Sequence, residues 1–163
     1  MRYYFLPFCA CIMWISFSGC SKDTGRPSDL PKLFPCRITI TQNEQPLPEA
    51  VVTLKSMDSG AKYATSSGIT DENGLVAPNT YSYKGVPVGK YKVTVKKTVE
   101  EGGTEVSTGP GTTRISGAKV YSLIKKEFTN EITTPLTIEI TEGENTETLD
   151  VGASARDFIY TTQ

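Results

Sequence analysis

The stretch KYKVTVK at positions 90–96 alternates without a break. Tyr91, Val93 and Val95 fall on one side, and Lys90, Lys92, Thr94 and Lys96 on the other. Period two over seven residues suits a β-strand with one face buried and the other in water. A helix would scatter the same side chains around its circumference. One such strand cannot bury its apolar face alone, so the chain must supply partners.

It supplies several. CRITIT at 36–41 alternates in the same way, which puts Cys36, Ile38 and Ile40 on one face. AVVTLKS at 50–56 sets Val51 and Thr53 against Val52 and Leu54. KYATSSGIT is followed by the turn sequence DENG and then by apolar LVA. PLTIEIT and TETLDV flank EGEN, which reads as a hairpin turn, and DFIYTT near the end reads as a further edge strand. VYSLIKKEF at 120–128 alone has the spacing of a helical turn or two. Residues 100–119 (EEGGTEVSTGPGTTRISGAK) are Gly- and Thr-rich and read as a long loop, functional or disordered. The expectation is an all-β, antiparallel sandwich of about seven strands spanning 36–163.

The N-terminus carries a different signal. Arg2 precedes a nearly continuous apolar run from Tyr3 to Phe17, too short to span a bilayer comfortably but suited to a signal peptide. Ser18 and Gly19 then lead directly into Cys20. This arrangement resembles the lipobox of bacterial lipoproteins, with Phe17 in place of the commoner Leu. The resemblance implies cleavage between Gly19 and Cys20, a diacylglycerol on the Cys20 thiol, and palmitate-type acylation of the new N-terminus. Two or three acyl chains provide the multiple anchors that stable membrane attachment requires. The alternative is a plain signal peptide in which Cys20 is incidental. Residues 1–19 are thus read as signal peptide, and 20–35, polar with three prolines from Ser21 to Pro35, as the lipidated end and a flexible tether.

Cysteine usage agrees. Cys9 and Cys11 leave with the signal peptide and Cys20 is lipidated, so Cys36 has no partner for an internal disulfide. Its alternation with Ile38 and Ile40 makes it a buried thiol. Without residues 1–19 the chain carries 16 basic and 18 acidic side chains, which argues against nucleic acid as a partner.

Four pieces, in order, carry a family resemblance. They are the strand Cys36–Thr41, QPLPEAVVTL, GITDENGLV and YKGVPVGKYKVTV. Together they resemble the carboxypeptidase regulatory-like domain, a transthyretin-like, immunoglobulin-like sandwich. Pro46, Leu47, Ala50 and Val52 match its "G-x-P-L-x-G-A-x-V" element. Thr70, Asp71 and Gly74 match "T-D-x-x-G", and Val86, Pro87, Gly89, Tyr91 and Val93 match "V-P-x-G-x-Y-x-V". The glycines that flank the Pro-Leu turn are read as replaced by Gln45 and Glu49. Lys126, Phe128, Thr134, Pro135 and Leu136 resemble the tail of small lipoproteins of planctomycete-type bacteria. The resemblance covers about residues 36–151. It implies an accessory, non-catalytic domain, and fold by itself does not imply function.

Chemistry-bearing motifs are sparse. The chain has no histidine, which removes the commonest general base and metal ligand. GPGTTR does not lead from a strand into a helix as phosphate loops do. Aligned on Gly74, a calcium loop would need acids where Ile69 and Thr80 stand. No catalytic residue, cofactor site or metal site is assigned. Lys90, Lys92, Lys96 and Lys97 read as a solvated sheet face, and the anionic glycan or lipid face they could form is the sharper alternative. Tyr91 is expected in the core, and Tyr81 and Tyr83 are expected to share one strand face and pack inward. The functional expectation is a lipid-anchored protein of the bacterial envelope, periplasmic or surface-exposed, with a non-catalytic role in binding an envelope protein or in structure. A carbohydrate-binding module is the alternative, and a glycan-processing enzyme the distant one.

Overall fold

A computed structural model describes residues 25–109 and 111–162. The signal peptide, Gly19 and Cys20 lie outside the described residues. Among the described residues, eleven strands have four or more residues. These are β1 Cys36–Gln42, β2 Val51–Ser56, β3 Thr65–Ile69, β4 Gly89–Lys96, β5 Thr98–Glu101 and β6 Thr104–Gly109, followed by β7 Thr112–Ser116, β8 Lys119–Ser122, β9 Thr137–Ile140, β10 Asn145–Asp150 and β11 Asp157–Thr161.

The all-β sandwich expected from the alternation is present. One sheet runs β9-β4-β2-β3 and continues through the short pairs Asn79–Thr80 and Tyr83–Lys84. The other runs β10-β1, with Gln45–Pro46 and Leu75–Val76 both pairing β1. Val52, Leu54, Val93, Val95, Ile138 and Ile140 of the first sheet share one buried cluster with Cys36, Ile38 and Ile40 of β1. Tyr91 lies in that cluster too, and its hydroxyl donates to the Pro87 carbonyl at 2.9 Å.

The turn elements hold as their residues dictate. Asp71 Oδ1 accepts the backbone N–H of Asn73 and of Leu75, each at 2.9 Å. Gly74 has φ +71°, and a Cβ there would stand 2.5 Å from the Ile40 carbonyl oxygen. Thr70 ties this turn to the Pro-Leu turn: its buried hydroxyl donates to the Leu47 carbonyl at 2.7 Å and accepts from the Ala50 N–H at 2.8 Å. Left-handed backbone occurs on both sides of the Pro-Leu turn, at Glu44 (φ 63°) and Glu49 (φ 54°). The first glycine-like position is therefore Glu44 rather than Gln45.

Several expectations need correction. EGEN is not a hairpin turn. β9 pairs with β4 in one sheet while β10 pairs in parallel with β1 in the other, so the segment crosses between sheets. Asn145 fixes the corner, its carboxamide accepting from the Thr141 N–H (2.9 Å) and donating to the carbonyls of Thr141 (3.0 Å) and Pro35 (3.2 Å). Residues 100–119 are not a loop but strands. β6 and β7 pair antiparallel as a hairpin, and β5, β8 and β11 form a separate three-stranded sheet. This arm carries the strands beyond about seven. Its hairpin faces are exposed on both sides, so no apolar alternation marks it. The helical turn read over 120–128 is a strand through Ser122 followed by a 3-10 turn, Lys126–Thr129.

The tether is docked over its described part, 25–35. Leu33–Phe34 pairs antiparallel with Val86–Pro87, and Leu30 and Phe34 are buried.

The two kinds of left-handed residue respond differently to substitution. Gly74→Ala places a methyl against backbone and should destabilise the domain by about 2 kcal/mol or more. Glu49→Gly relieves left-handed strain of about 1 kcal/mol while adding unfolded-state entropy of similar size. It should therefore leave urea stability nearly unchanged. Equal losses in the two variants would contradict the assigned turn geometry.

Candidate binding surfaces

β4 divides the molecule into two ends. At its Gly89 end lies the connection 57–64, tied in by the Met57 N–H donating to the Lys90 carbonyl. From its Lys96 end the chain passes into the arm. Each end carries exposed aromatic side chains.

At the arm end, β11 hydrogen-bonds to β8 on one side only and forms the outer edge of its sheet. All five of its residues are exposed, with Phe158 at 58 %, Ile159 at 46 % and Tyr160 at 52 %. DFIYTT is thus the edge strand expected from its sequence. The edge lacks the Lys or Pro that ordinarily blunts one, although the register slips between Val120 and Tyr121, opposite Ile159. Behind it the structure is firm. Arg156 pairs with Glu101 and stacks 5.0 Å over the Tyr121 ring, which meets Phe158 edge-on at 5.9 Å.

A groove of about 730 Å³ opens beside this strand, lined by Ile124, Phe158, Ile159, Asp157, Lys96 and Lys126 among others. That volume falls in the range of ligand-sized clefts. Lys96 and Lys126 have no carboxylate at ion-pair distance among the described residues. The other lysines of the expected solvated face are differently engaged. Lys92 donates to the Thr134 carbonyl (3.3 Å), Lys97 to the Pro48 carbonyl (2.7 Å), and Lys90 lies 3.9 Å from Glu139.

At the Gly89 end the tyrosines correct a second expectation. Tyr81 does not pack inward. It sits at a tight corner with φ 54° and is 72 % exposed, because Thr80 pairs directly with Tyr83 and throws the intervening residues outward. Its ring meets Tyr63 edge-on, with centroids 5.6 Å apart and planes at 84°. Tyr83 is half-buried, its hydroxyl donates to the Gly25 carbonyl at 2.9 Å, and Arg26 lies 6.0 Å over its ring. Asp29 accepts from Lys62 and from the Tyr63 hydroxyl. The Lys62 ammonium, then the Tyr63 hydroxyl, hold the Asp29 carboxyl below its ordinary value, and Asp29 in turn raises Lys62. Asp29, Tyr63 and Tyr81 share no periodicity, so nothing in the sequence marks this cluster.

No group of three or more metal-ligating side chains occurs among the described residues, and Asp71 is spent on its own turn. Cys36 is buried, and burial first, then the Glu147 charge, pushes its thiol up to about 11. It is a packing residue. No helix among the described residues is long and apolar enough to cross a membrane.

Acid should loosen the Gly89 end. A carboxyl lowered in the folded state contributes stability above its unfolded value, 3.8 here, and loses it as pH falls through the folded value. Near-ultraviolet tyrosine dichroism should therefore change below about pH 4. That step should be missing in Asp29→Asn, and its persistence in the variant would contradict the assignment.

Comparison with family models, with curated proteins and with solved structures returned no match for this chain.

Proposed function

We propose that this chain is a lipid-anchored protein of the bacterial envelope with a non-catalytic sandwich, whose arm binds a protein partner by strand addition. The observation that carries the reading is the open, apolar edge of β11. An extended segment pairing there would satisfy the unpaired backbone groups and cover Phe158, Ile159 and Tyr160, the mode used by strand-accepting domains. Lys96 and Lys126 beside the edge favour a segment that alternates apolar and acidic side chains. The Ser18-Gly19-Cys20 motif supports the anchor, and the resemblance to carboxypeptidase regulatory-like domains supports an accessory role without catalysis.

A glycan-binding module is the second reading. The exposed Tyr63–Tyr81 pair beside Asp29 and Lys62 favours it, but rings at 84° to one another offer no single flat platform for a sugar.

Photo-crosslinking in cells distinguishes the two. A benzoylphenylalanine at Ile159 should give one discrete protein adduct, mapped to an extended acidic segment, and Lys126→Glu should reduce its yield. The same probe at Ser59, at the other end of the molecule, should give none. Failure at Ile159, together with envelope-glycan binding that Tyr81→Ala abolishes, would replace the first reading by the second.

A further inference from the structure

The docked segment 25–34 has a consequence for how the molecule meets its membrane. Only five residue steps separate Cys20 from Gly25. Fully extended, they reach at most about 18 Å. Gly25 is itself fixed to the domain through the Tyr83 hydroxyl, and Asp29 through Lys62 and Tyr63. An acyl chain on Cys20 therefore does not let the sandwich tumble freely above the bilayer. It holds the Gly89 end within a few headgroup thicknesses of the lipid.

The residues at that end are of the type found at such a boundary. Tyr63 and Tyr81 are in edge-on contact, Tyr83 lies two residues on from Tyr81, and Tyr81 is the most exposed tyrosine of the three. Arg26 lies over the Tyr83 ring, and Lys62 lies 5.7 Å from the Tyr63 ring centroid. Tyrosine rings with an apolar body and a polar tip settle at the headgroup level of membranes, and basic side chains beside them favour phosphate. Asp29 neutralises Lys62, so the patch carries little net charge and its affinity as a free surface is small. Affinity is not what is required. A linker this short gives the patch a high effective concentration at the lipid surface, so a weak preference is enough to orient the domain.

We infer that the Tyr63–Tyr81–Tyr83 face is a lipid-facing surface that seats on the headgroups of the bilayer entered by the protein's own anchor. The arm and the open edge of β11 then point away from the membrane. The inference rests on the anchoring of Cys20 proposed above.

The test uses the full chain, processed in cells and reconstituted through its anchor into phosphatidylethanolamine–phosphatidylglycerol vesicles. Trp14 is the sole tryptophan of the sequence and precedes the cleavage position. Tyr81→Trp therefore leaves one tryptophan in the processed protein, and Ile115→Trp gives the matching reporter on the arm. Lipids brominated near the headgroup should quench the indole of Tyr81→Trp severalfold more than that of Ile115→Trp. Lys84→Trp, at a neighbouring exposed position, should behave as Tyr81→Trp does and guards against a folding defect in one variant. Equal quenching of Tyr81→Trp and Ile115→Trp in acylated, vesicle-bound protein would overturn the inference and leave the anchor standing. So would a Tyr81→Trp indole that ignores brominated lipid and responds instead to added envelope oligosaccharide. Absence of labelled fatty acid on Cys20, with the protein left in the aqueous fraction, would overturn the anchor itself and the lipid-facing surface with it.

Discussion

The parallel pairing of β1 with β10 is the constraint on which the rest of the structure depends. It joins the first long strand to the last strand of the sandwich, Cys36 opposite Asn145 through Thr41 opposite Asp150. A Thr41–Asp150 side-chain hydrogen bond links positions 109 residues apart. Backbone bonds extend the seam at both ends, from Asn145 to Pro35 and from Asn43 to Gly152. β1 carries Ile38 and Ile40, both fully buried, and without β10 one of its edges would be open. A parallel pair cannot be closed by a tight hairpin. The intervening chain carries the whole of the first sheet, so the seam joins strands far apart in sequence, which makes the sandwich a structure of non-local contacts.

That seam also explains which parts of the molecule were legible in the sequence. Strands that bury one face in the core announce themselves: Val93 and Val95, and Ile38 and Ile40, alternate with polar neighbours, and Val52 and Leu54 alternate with exposed Val51 and half-buried Thr53. So does the Thr70–Asp71–Gly74 turn, since each of its residues has a local backbone role. The arm did not, because β6 and β7 expose both faces and have no reason to alternate. EGEN has the composition of a hairpin turn, yet pairing partners are decided by the sheets and not by the turn, and Asn145 redirects it through five carboxamide contacts. Tyr81 and Tyr83 are two apart and invited a shared inward face, but the corner at Thr80–Tyr83 is too tight for a strand through both. The segment 25–35 looked like a linker because its polar and proline residues outnumber the two side chains, Leu30 and Phe34, that bury it.

The functional reading follows from the arrangement of the ends. Folding stability belongs to the sandwich, with its continuous core and no unsatisfied buried side-chain polar atom among the described residues. The arm is attached through the chain at Lys97, through its exit at Leu123 and through the return from Val151, and none of its strands packs broadly on the sandwich sheets. An element that contributes little to the common core yet exposes Phe158, Ile159 and Tyr160 is costly for a monomer in water, and cover by a partner would offset that cost. The docked N-terminal segment lies at the other end, with its tyrosines. Under the proposed function the anchor would lie below and the open edge above, so that the protein would display a binding edge from a membrane.

The central claim is this separation of ends, and a spin–spin distance measurement tests it most directly. Cys36 is buried with a raised thiol, so labels introduced at Ser59→Cys and Thr113→Cys can be attached selectively to the processed protein. Eight residues of β4 alone span about 25 Å. One narrow distance distribution centred above that length is expected if the two surfaces lie at opposite ends. A distribution centred well below it would mean that the arm folds back over the Gly89 end, and the two surfaces could not then face opposite ways.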